Sequence, residues 1–455
     1  MDPKMTKEER REKIITQPLL PLLVRMAIPT IIGMLMTMIY NLTDTFFIGR
    51  LGNKSMTAAI GIAFSFVSFV QALGFWFGYG SGNAMSRSLG AKDEREAATL
   101  SSTGIGLALG TGILLTLLLL FHVEQVAAFL GGNASPALLE FSTQYLRVMI
   151  YTLPFSLYGT TLYNQLRLCG NAKDGMLGLL SGMLLNMLLD PLFIFVFRMG
   201  FIGAGWATFA GQVFGSAVLT LLSLRGGNIP VRLNRFDLRN GRLYHILMGG
   251  APNFSRQGIT SIASILLNIV AAAYGEETIA ALTISGRVAA LFYMIVIGWG
   301  QGFQPICAMN YGAQKYDRVK TALKISATVG TAFLIVATVF LYVFAQPLSG
   351  LFSKNSDVVE LCVRILRLQC ISLPFMGIYA LSSMFTQNIG KYLTALMISI
   401  ARQGLFYLPL LYLLPFILRT LGADALTGLF LVQPMADLAS FLFGALIMLR
   451  CLKEL

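Results

Sequence analysis

The sequence predicts an all-α integral membrane protein with twelve transmembrane helices in two six-helix lobes, related by an internal repeat. Three observations carry that prediction. The chain is 56% hydrophobic and 12% charged over 455 residues, with a mean hydropathy of +0.70, which excludes a soluble domain. Apolar stretches long enough to cross about 30 Å of hydrocarbon recur along its whole length. The two halves repeat the same local patterns at an offset of roughly 220 residues, as duplicated bundles do.

The elements follow in chain order. The first residues, MDPKMTKEERREK, are polar and mixed in charge and lack the apolar core and cleavage site of a signal peptide. They read as a cytoplasmic tail over residues 1–18. Spans centre near Met34, Val70, Ile113, Leu157, Leu185, Gly211, Leu266, Ala290, Leu334, Met376, Tyr407 and Ala436. An even number of spans places both termini on one side, and the basic residues decide which. Alternate gaps hold Arg87, Lys92 and Arg95; Arg167 and Lys173; Arg225, Arg232, Arg235, Arg239 and Arg242; Lys315, Arg318, Lys320 and Lys324; then Lys391. The opposite gaps hold only Arg50, Lys54, Arg198, Lys354 and Arg419. Positive gaps face the cytoplasm, so both termini are expected there, in the cell membrane. The organisation expected is an N-lobe over 19–224, a cytoplasmic linker over 225–245, a C-lobe over 246–449 and a short cytoplasmic end over 450–455.

The net charge of +13 is spread over these gaps and forms no basic face interleaved with aromatics, so nucleic acid is not an expected partner. Cys169, Cys307, Cys362, Cys370 and Cys451 are scattered and odd in number, which suits helix packing better than disulfides or a metal site. No phosphate-binding loop occurs, which argues against ATP drive. His122 and His245 lie near span ends without a nucleophile or metal spacing, so no enzyme is expected.

Within the repeat, Pro29 matches Pro252, and Asn83–Ala91 matches Pro305–Ala313. Tyr145-Leu-Arg-(x)5-Leu-Pro-Phe155 recurs as Ile365-Leu-Arg-(x)5-Leu-Pro-Phe375. Parallel repeats place a substrate path between halves that rock against each other. Gly74 with Gly78, and Gly106 with Gly110, have the spacing of close helix contacts.

Asp44 and Asp190 are acids inside apolar runs. Each costs about 2.5–3.5 kcal/mol at a bilayer centre, so such residues bind cations, carry protons or neutralise bases. Asn186 and Asp190 are four apart and share a helix face. Pro191 lacks the N–H that would bond the Met187 carbonyl, so it frees an oxygen there and bends the helix. Converging oxygens suit a hard cation such as Na⁺, whereas paired buried carboxylates raise a pKa enough to carry H⁺. Thr208 and Tyr145 lie at a matching depth by residue count. The plainer reading is that the two acids hydrogen-bond locally and brace helices.

Several runs resemble the multidrug and toxic compound extrusion (MATE) transporters: Tyr40-Asn-Leu-Thr-Asp44-Thr-Phe-Phe-Ile-Gly49, Ser86-Arg-Ser-Leu-Gly-Ala91 and Asn186-(x)3-Asp190-Pro191. Gly203-Ala-Gly-Trp-Ala-Thr208 and Gly302-Phe-Gln-Pro-(x)4-Asn310-Tyr-Gly-Ala313 do so as well. The resemblance covers essentially the whole chain and is closest to the DinF-like branch. It implies a V-shaped pair of six-helix lobes around a central cavity, and antiport of organic, often cationic compounds against Na⁺ or H⁺. It further implies a coupling site of Asp44, Asn186, Asp190, the backbone of Ala204, Thr208 and Tyr145. No other cofactor is implied; the expected partners are a drug-like substrate and the bilayer, with the chain a monomer.

The second half lacks this acidic pair, with Leu267 and Leu410 near the equivalent positions, and Gly258–Val270 and Leu368–Gly390 contain no acid. It carries Arg256, Gln257, Arg287, Arg402, Gln403 and Asp437 inside its spans instead. These form either a charge-neutralised structural network facing the bundle interior, or a lining of the transport path in which Asp437 partners Arg402 or Arg256 and switches partner as the lobes rock. The alternative function is a lipid-linked saccharide or glycolipid flippase of related architecture, which needs a strongly cationic groove.

Overall fold

A computed structural model describes residues 5–422 and 424–455; the side chains of Asn41, Leu42, Asp44, Thr45 and Lys54 lie outside the described residues. The described residues are helical almost throughout. In order the helices are α1 (Lys7–Thr16), α2 (Leu19–Gly49), α3 (Lys54–Gly90), α4 (Glu94–Leu120), α5 (Val123–Phe129), α6 (Pro136–Leu168), α7 (Ala172–Pro191) and α8 (Phe201–Ser223). They continue as α9 (Arg242–Ala272), α10 (Glu276–Gly312), α11 (Tyr316–Phe352), α12 (Ser356–Gln369), α13 (Met376–Asn388), α14 (Tyr392–Ile400), α15 (Leu408–Thr420) and α16 (Ala425–Lys453).

Among the described residues nine helical stretches are long and apolar enough to cross a bilayer, and the pair α12 and α13, bent by 47°, adds a tenth. α6 and α9 are also long enough, at 33 and 31 residues, but carry more polar side chains. With them the twelve expected spans are all helical. Large apolar side chains such as Leu114, Leu117, Val336, Val339 and Val343 are exposed, as lipid-facing helix surfaces require.

The repeated Leu-Pro-Phe motif has two outcomes. In the first half Pro154 sits inside continuous α6. There α4 lies so close that a methyl group on Gly112 would come within 2.7 Å of the Pro154 Cα. In the second half the helix breaks: α12 ends at Gln369, a 3-10 turn spans Leu373–Phe375, and α13 starts afresh. Both follow from the amide that proline lacks; the neighbouring packing decides between a kink and a break.

The chain divides into two compact units. Unit 1 comprises Met1–Gln17, Ile32–Phe254 and Ala308–Gln314; unit 2 comprises Pro18–Ile31, Ser255–Cys307 and Lys315–Leu455.

In unit 1 the N-terminal stretch, expected as a cytoplasmic tail, contains the docked helix α1. Thr6 and Glu9 form a reciprocal capping box at the start of α1. Arg11 donates from Nε and Nη2 to the Gly90 carbonyl at 3.0 and 2.8 Å, and from Nε to that of Leu89 at 3.0 Å. It thereby satisfies the Gly90 carbonyl left over at the end of α3 and adds a second donor to that of Leu89, which the Lys92 N–H already reaches at 3.2 Å. Arg10 is buried and donates to the Gly227 carbonyl at 2.8 Å and to Asn228. Asn310 donates to the Ile14 carbonyl at 3.3 Å. The segment after α8 is fixed to α4 by Thr103 and the Asp237 backbone, and by Arg242 with Glu96 at 2.7 Å.

Of the glycines read as helix contacts, Gly74 and Gly78 of α3 press on Thr160 and Asn164 of α6, and Gly106 meets the Phe236 ring. Gly110 meets nothing within 4 Å, so at that position the spacing does not mark a contact.

Candidate functional site

The polar site of unit 1 lies where α7 and α8 touch backbone to backbone. Two small-residue pairs permit that approach, Gly178 with Gly182 on α7 and Gly211 with Gly215 on α8. A methyl group on Gly182 would come within 2.7 Å of the Gly211 carbonyl oxygen, and one on Gly211 within 2.8 Å of the Gly182 carbonyl oxygen. Their i, i+4 spacing is the sequence signal that sequence reasoning passed over here.

The close approach puts Asn186 beside Thr208. Asn186 donates from Nδ2 to the Thr208 hydroxyl at 3.1 Å, and that hydroxyl donates to the Ala204 carbonyl at 3.1 Å. The chain of donors leaves the buried Asn186 Oδ1 without a donor among the described residues. It is an acceptor held in a dry place. One turn further along α7, Asp190 is fully buried. After Pro191 the chain widens into a π-helical turn, Leu192–Val196, closed by Phe197 N–H to Leu192 C=O at 2.8 Å. A methyl group on Gly203 would come within 2.9 Å of this turn at the Phe193 carbonyl carbon, so α8 begins pressed against it. The bend expected from the proline is thus a π-helical widening.

Tyr145 is buried on α6, with its ring 5.0 Å from that of Phe201 and against Gly205, next to Ala204. Arg147, two residues further along α6 from Tyr145, is exposed. Asp44 belongs to α2, but its side chain lies outside the described residues. Asn186, Asp190, Ala204 and Thr208 are therefore gathered on the α7–α8 contact, and Tyr145 packs at its edge. Oxygen atoms of an amide, a carboxylate, a hydroxyl and a carbonyl fit a hard cation such as Na⁺, and the donor-free Asn186 Oδ1 is the atom such an ion would satisfy.

Unit 2 gathers a different group. Asp437 of α16 is buried. Its Oδ1 accepts from Arg402 Nε at 2.7 Å and Gln433 Nε2 at 2.6 Å, and its Oδ2 accepts from the Ser372 hydroxyl at 3.3 Å. The Arg402 guanidinium also lies over the Tyr293 ring, 5.2 Å from its centre. Arg402 and Gln403 belong to a π-helical stretch, Ala401–Tyr407, between α14 and α15. Of the bases considered as partners for Asp437, Arg402 is the one that pairs with it. Arg256 and Gln257 are half-buried, and their side chains make no hydrogen bond or ion pair among the described residues. Arg287 is exposed and stands apart from the network. Gln433 and Ser372 were missed in sequence; Gln433 lay one helical turn before Asp437, the spacing that could have found it.

The MatE family pattern matches residues 29–192 and 253–413, two copies about 220 residues apart, as the internal repeat requires. The chain is similar to the multidrug export protein MepA of Staphylococcus saprophyticus, 30% identical over 404 residues that cover 89% of this chain and 87% of that one. It is 28% identical to the MepA of Staphylococcus aureus over 438 residues, 96% of each chain. A solved structure of a multidrug resistance MATE family transporter, described as outward-facing, matches with a TM-score of 0.90 over 99% of each chain at 23% identity, a likeness of fold. With the pattern present twice along most of its length and a relative matched along nearly all of it, this chain belongs to the MatE family of membrane transporters.

Proposed function

We propose that this protein is an antiporter that expels amphipathic organic cations in exchange for Na⁺ or H⁺ by alternating access. The observation that carries the reading is the α7–α8 contact, with Asp190 fully buried beside an Asn186 Oδ1 that has no donor among the described residues. A buried carboxylate flanked by spare oxygens gains a cation or a proton readily and loses it when the site opens to water. Asp44 is the second acid of that site in our reading, with Tyr145 closing its edge. Exchange at this site biases the protein between its two orientations, and substrate leaves as the ion enters.

The reading extends to the organisation of the chain. The two repeats act as lobes over 19–224 and 246–449, joined by the segment 225–245, and the protein works as a monomer with both termini in the cytoplasm. The MepA relatives are named as multidrug export proteins, which supports drug-like cargo. An acidic site in the first repeat and no acid over Gly258–Val270 and Leu368–Gly390 of the second favour the DinF-like grouping. A lipid-linked saccharide or glycolipid flippase is the second reading. Against it, Asp437 neutralises Arg402, which leaves fewer cations than a pyrophosphate needs.

Proteoliposomes loaded with a fluorescent organic cation provide the test, with an imposed Na⁺ gradient and an imposed pH gradient applied separately. Uphill movement is expected with one gradient and none without. Uphill movement in the absence of both would overturn the reading.

A further inference from the structure

The segment between α8 and α9 is anchored at intervals and presents arginines between the anchors. Asn228 is buried and donates to the Leu222 carbonyl at 2.8 Å. Val231 packs against the cluster of Ile105, Leu162 and Leu219. The Asp237 carbonyl accepts from the Thr103 hydroxyl at 3.0 Å, and the Asp237 N–H donates back to it at 3.1 Å. The Phe236 ring lies over Gly106, where a methyl group would come within 2.4 Å of it. Arg242 closes the segment with a forked pair to Glu96, at 2.9 and 2.7 Å. Within these anchors a 3-10 turn, Leu233–Arg235, fixes the backbone. Arg232, Arg235 and Arg239 are exposed, and their side chains make no hydrogen bond or ion pair among the described residues. Leu233 and Leu238, next to them in sequence, are exposed as well.

A loose loop carries basic residues as an orientation signal and leaves them in water. Charge and level set this segment apart. Arg242 shares Glu96 and Asp237, so the four arginines from Arg232 to Arg242 face two acids and leave two positive charges in excess. The level follows from α4, which ends at Leu120. About 20 residues cross about 30 Å of hydrocarbon at about 1.5 Å per residue, which reaches back from Leu120 to the neighbourhood of Ser101. Thr103 and Gly106, which hold the segment, therefore stand where hydrocarbon gives way to headgroups. Further along the same helix Leu114, Leu117 and Leu118 are exposed, as a lipid-facing surface requires. The fold has already ordered the backbone that carries the arginines, so little conformational freedom is lost when they meet a ligand.

We propose that this segment is a binding shelf for anionic phospholipid, on which Arg232, Arg235 and Arg239 take headgroup phosphates while Leu233 and Leu238 enter the acyl boundary. Guanidinium groups match phosphate in geometry and charge, and the adjoining apolar side chains add a contact that free phosphate lacks. In our reading of orientation the leaflet concerned is the cytoplasmic one, where such basic segments meet anionic lipid. The inference depends on membrane placement alone and holds whether or not ion exchange at the α7–α8 contact drives efflux.

The test is lipid binding by the purified full chain in dodecyl maltoside, read by native mass spectrometry with two lipids. They are dioleoyl phosphatidylglycerol and dioleoyl phosphatidylcholine, whose choline cancels the phosphate charge. Orientation signals play no part in a micelle, so a preference there reports binding. The wild type is expected to bind phosphatidylglycerol about 10- to 100-fold more tightly than phosphatidylcholine. Each of Arg232→Gln, Arg235→Gln and Arg239→Gln should lower that preference by about 2- to 5-fold, and the triple variant should remove most of it. The corresponding triple lysine variant keeps the charge and should lose less. Because these side chains are exposed and unpaired, the melting temperature without added lipid should match that of the wild type. Equal binding of the two lipids by the wild type, or an undiminished preference in the triple glutamine variant, would overturn the shelf. Displacement of the lipid by inorganic phosphate alone would overturn the assignment to phospholipid.

Discussion

At the scale of single residues, the α7–α8 oxygens differ in what their loss should do. Asp190 is fully buried, and in the proposed mechanism its charge is what binds the coupling ion. Asp190→Asn keeps the shape and removes that charge. Gradient-driven efflux should fall to background while size-exclusion behaviour and helical circular dichroism stay as in the parent, and Asp44→Asn should do the same. Full efflux by both variants would remove these acids from the mechanism. Thr208→Val deletes the hydroxyl that links Asn186 to the Ala204 carbonyl. One hydrogen bond contributes about 1 kcal/mol, so the coupling-ion concentration for half-maximal efflux should rise by about 5- to 10-fold, measured as a titration of dye export against Na⁺ and against pH.

Between elements, backbone contact decides. Gly211→Ala would place a methyl group 2.8 Å from the Gly182 carbonyl oxygen and 2.9 Å from the Asn186 Cβ, and neither backbone can retreat without parting Asn186 from Thr208. Overpacking of this kind costs about 1–3 kcal/mol. The variant should melt several degrees lower and lose transport out of proportion to its stability. Gly110→Ala is the control: nothing lies within 4 Å of that site, and a helical glycine replaced by alanine should leave the melting temperature unchanged or raised. The start of α16 responds to acid. Asp424 caps it, and the Thr427 hydroxyl, followed by the Leu426 and Thr427 amides, holds its carboxyl below the ordinary carboxylate range. A pKa lower in the folded state stabilises above the unfolded value and is lost as pH falls through the folded one. Hydrogen exchange at Leu426 and Thr427 should therefore speed up only below about pH 4, the ordinary value for an aspartate, and Asp424→Ala should show the faster exchange already at neutral pH.

For the whole molecule, α1 ties together parts of unit 1 that are remote in sequence. Its arginines satisfy carbonyls at the end of α3 and in the segment after α8, and Asn310 of α10 bonds its Ile14 carbonyl. Arg11→Ala strands the Gly90 carbonyl at the end of α3, and Thr6→Ala opens the capping box; each should cost about 0.5–2 kcal/mol. A thermal-shift series on the intact chain checks this: the double variant should lose close to the sum of the two, because the groups do not share a partner. No loss in either single variant would mean that α1 lies on unit 1 without holding it.

The amino-acid sequence by itself determined the membrane class, the helical spans and the repeat. Hydropathy, basic gaps and acids in apolar runs are local properties of the chain, readable without knowing what packs on what. Asn186 and Asp190 were legible because four residues apart on a helix is a spatial statement. Thr208 entered through depth and family resemblance, and only the glycine contact between α7 and α8 brought it to 3.1 Å from Asn186. The tertiary structure alone decided that Asp437 takes Arg402 as its partner, that Arg287 stands apart, and that the polar N-terminus is a docked helix with a capping box spelled out at Thr6 and Glu9. These depend on which helix faces meet. That is set by the fit of whole surfaces, a property that no single stretch of sequence carries.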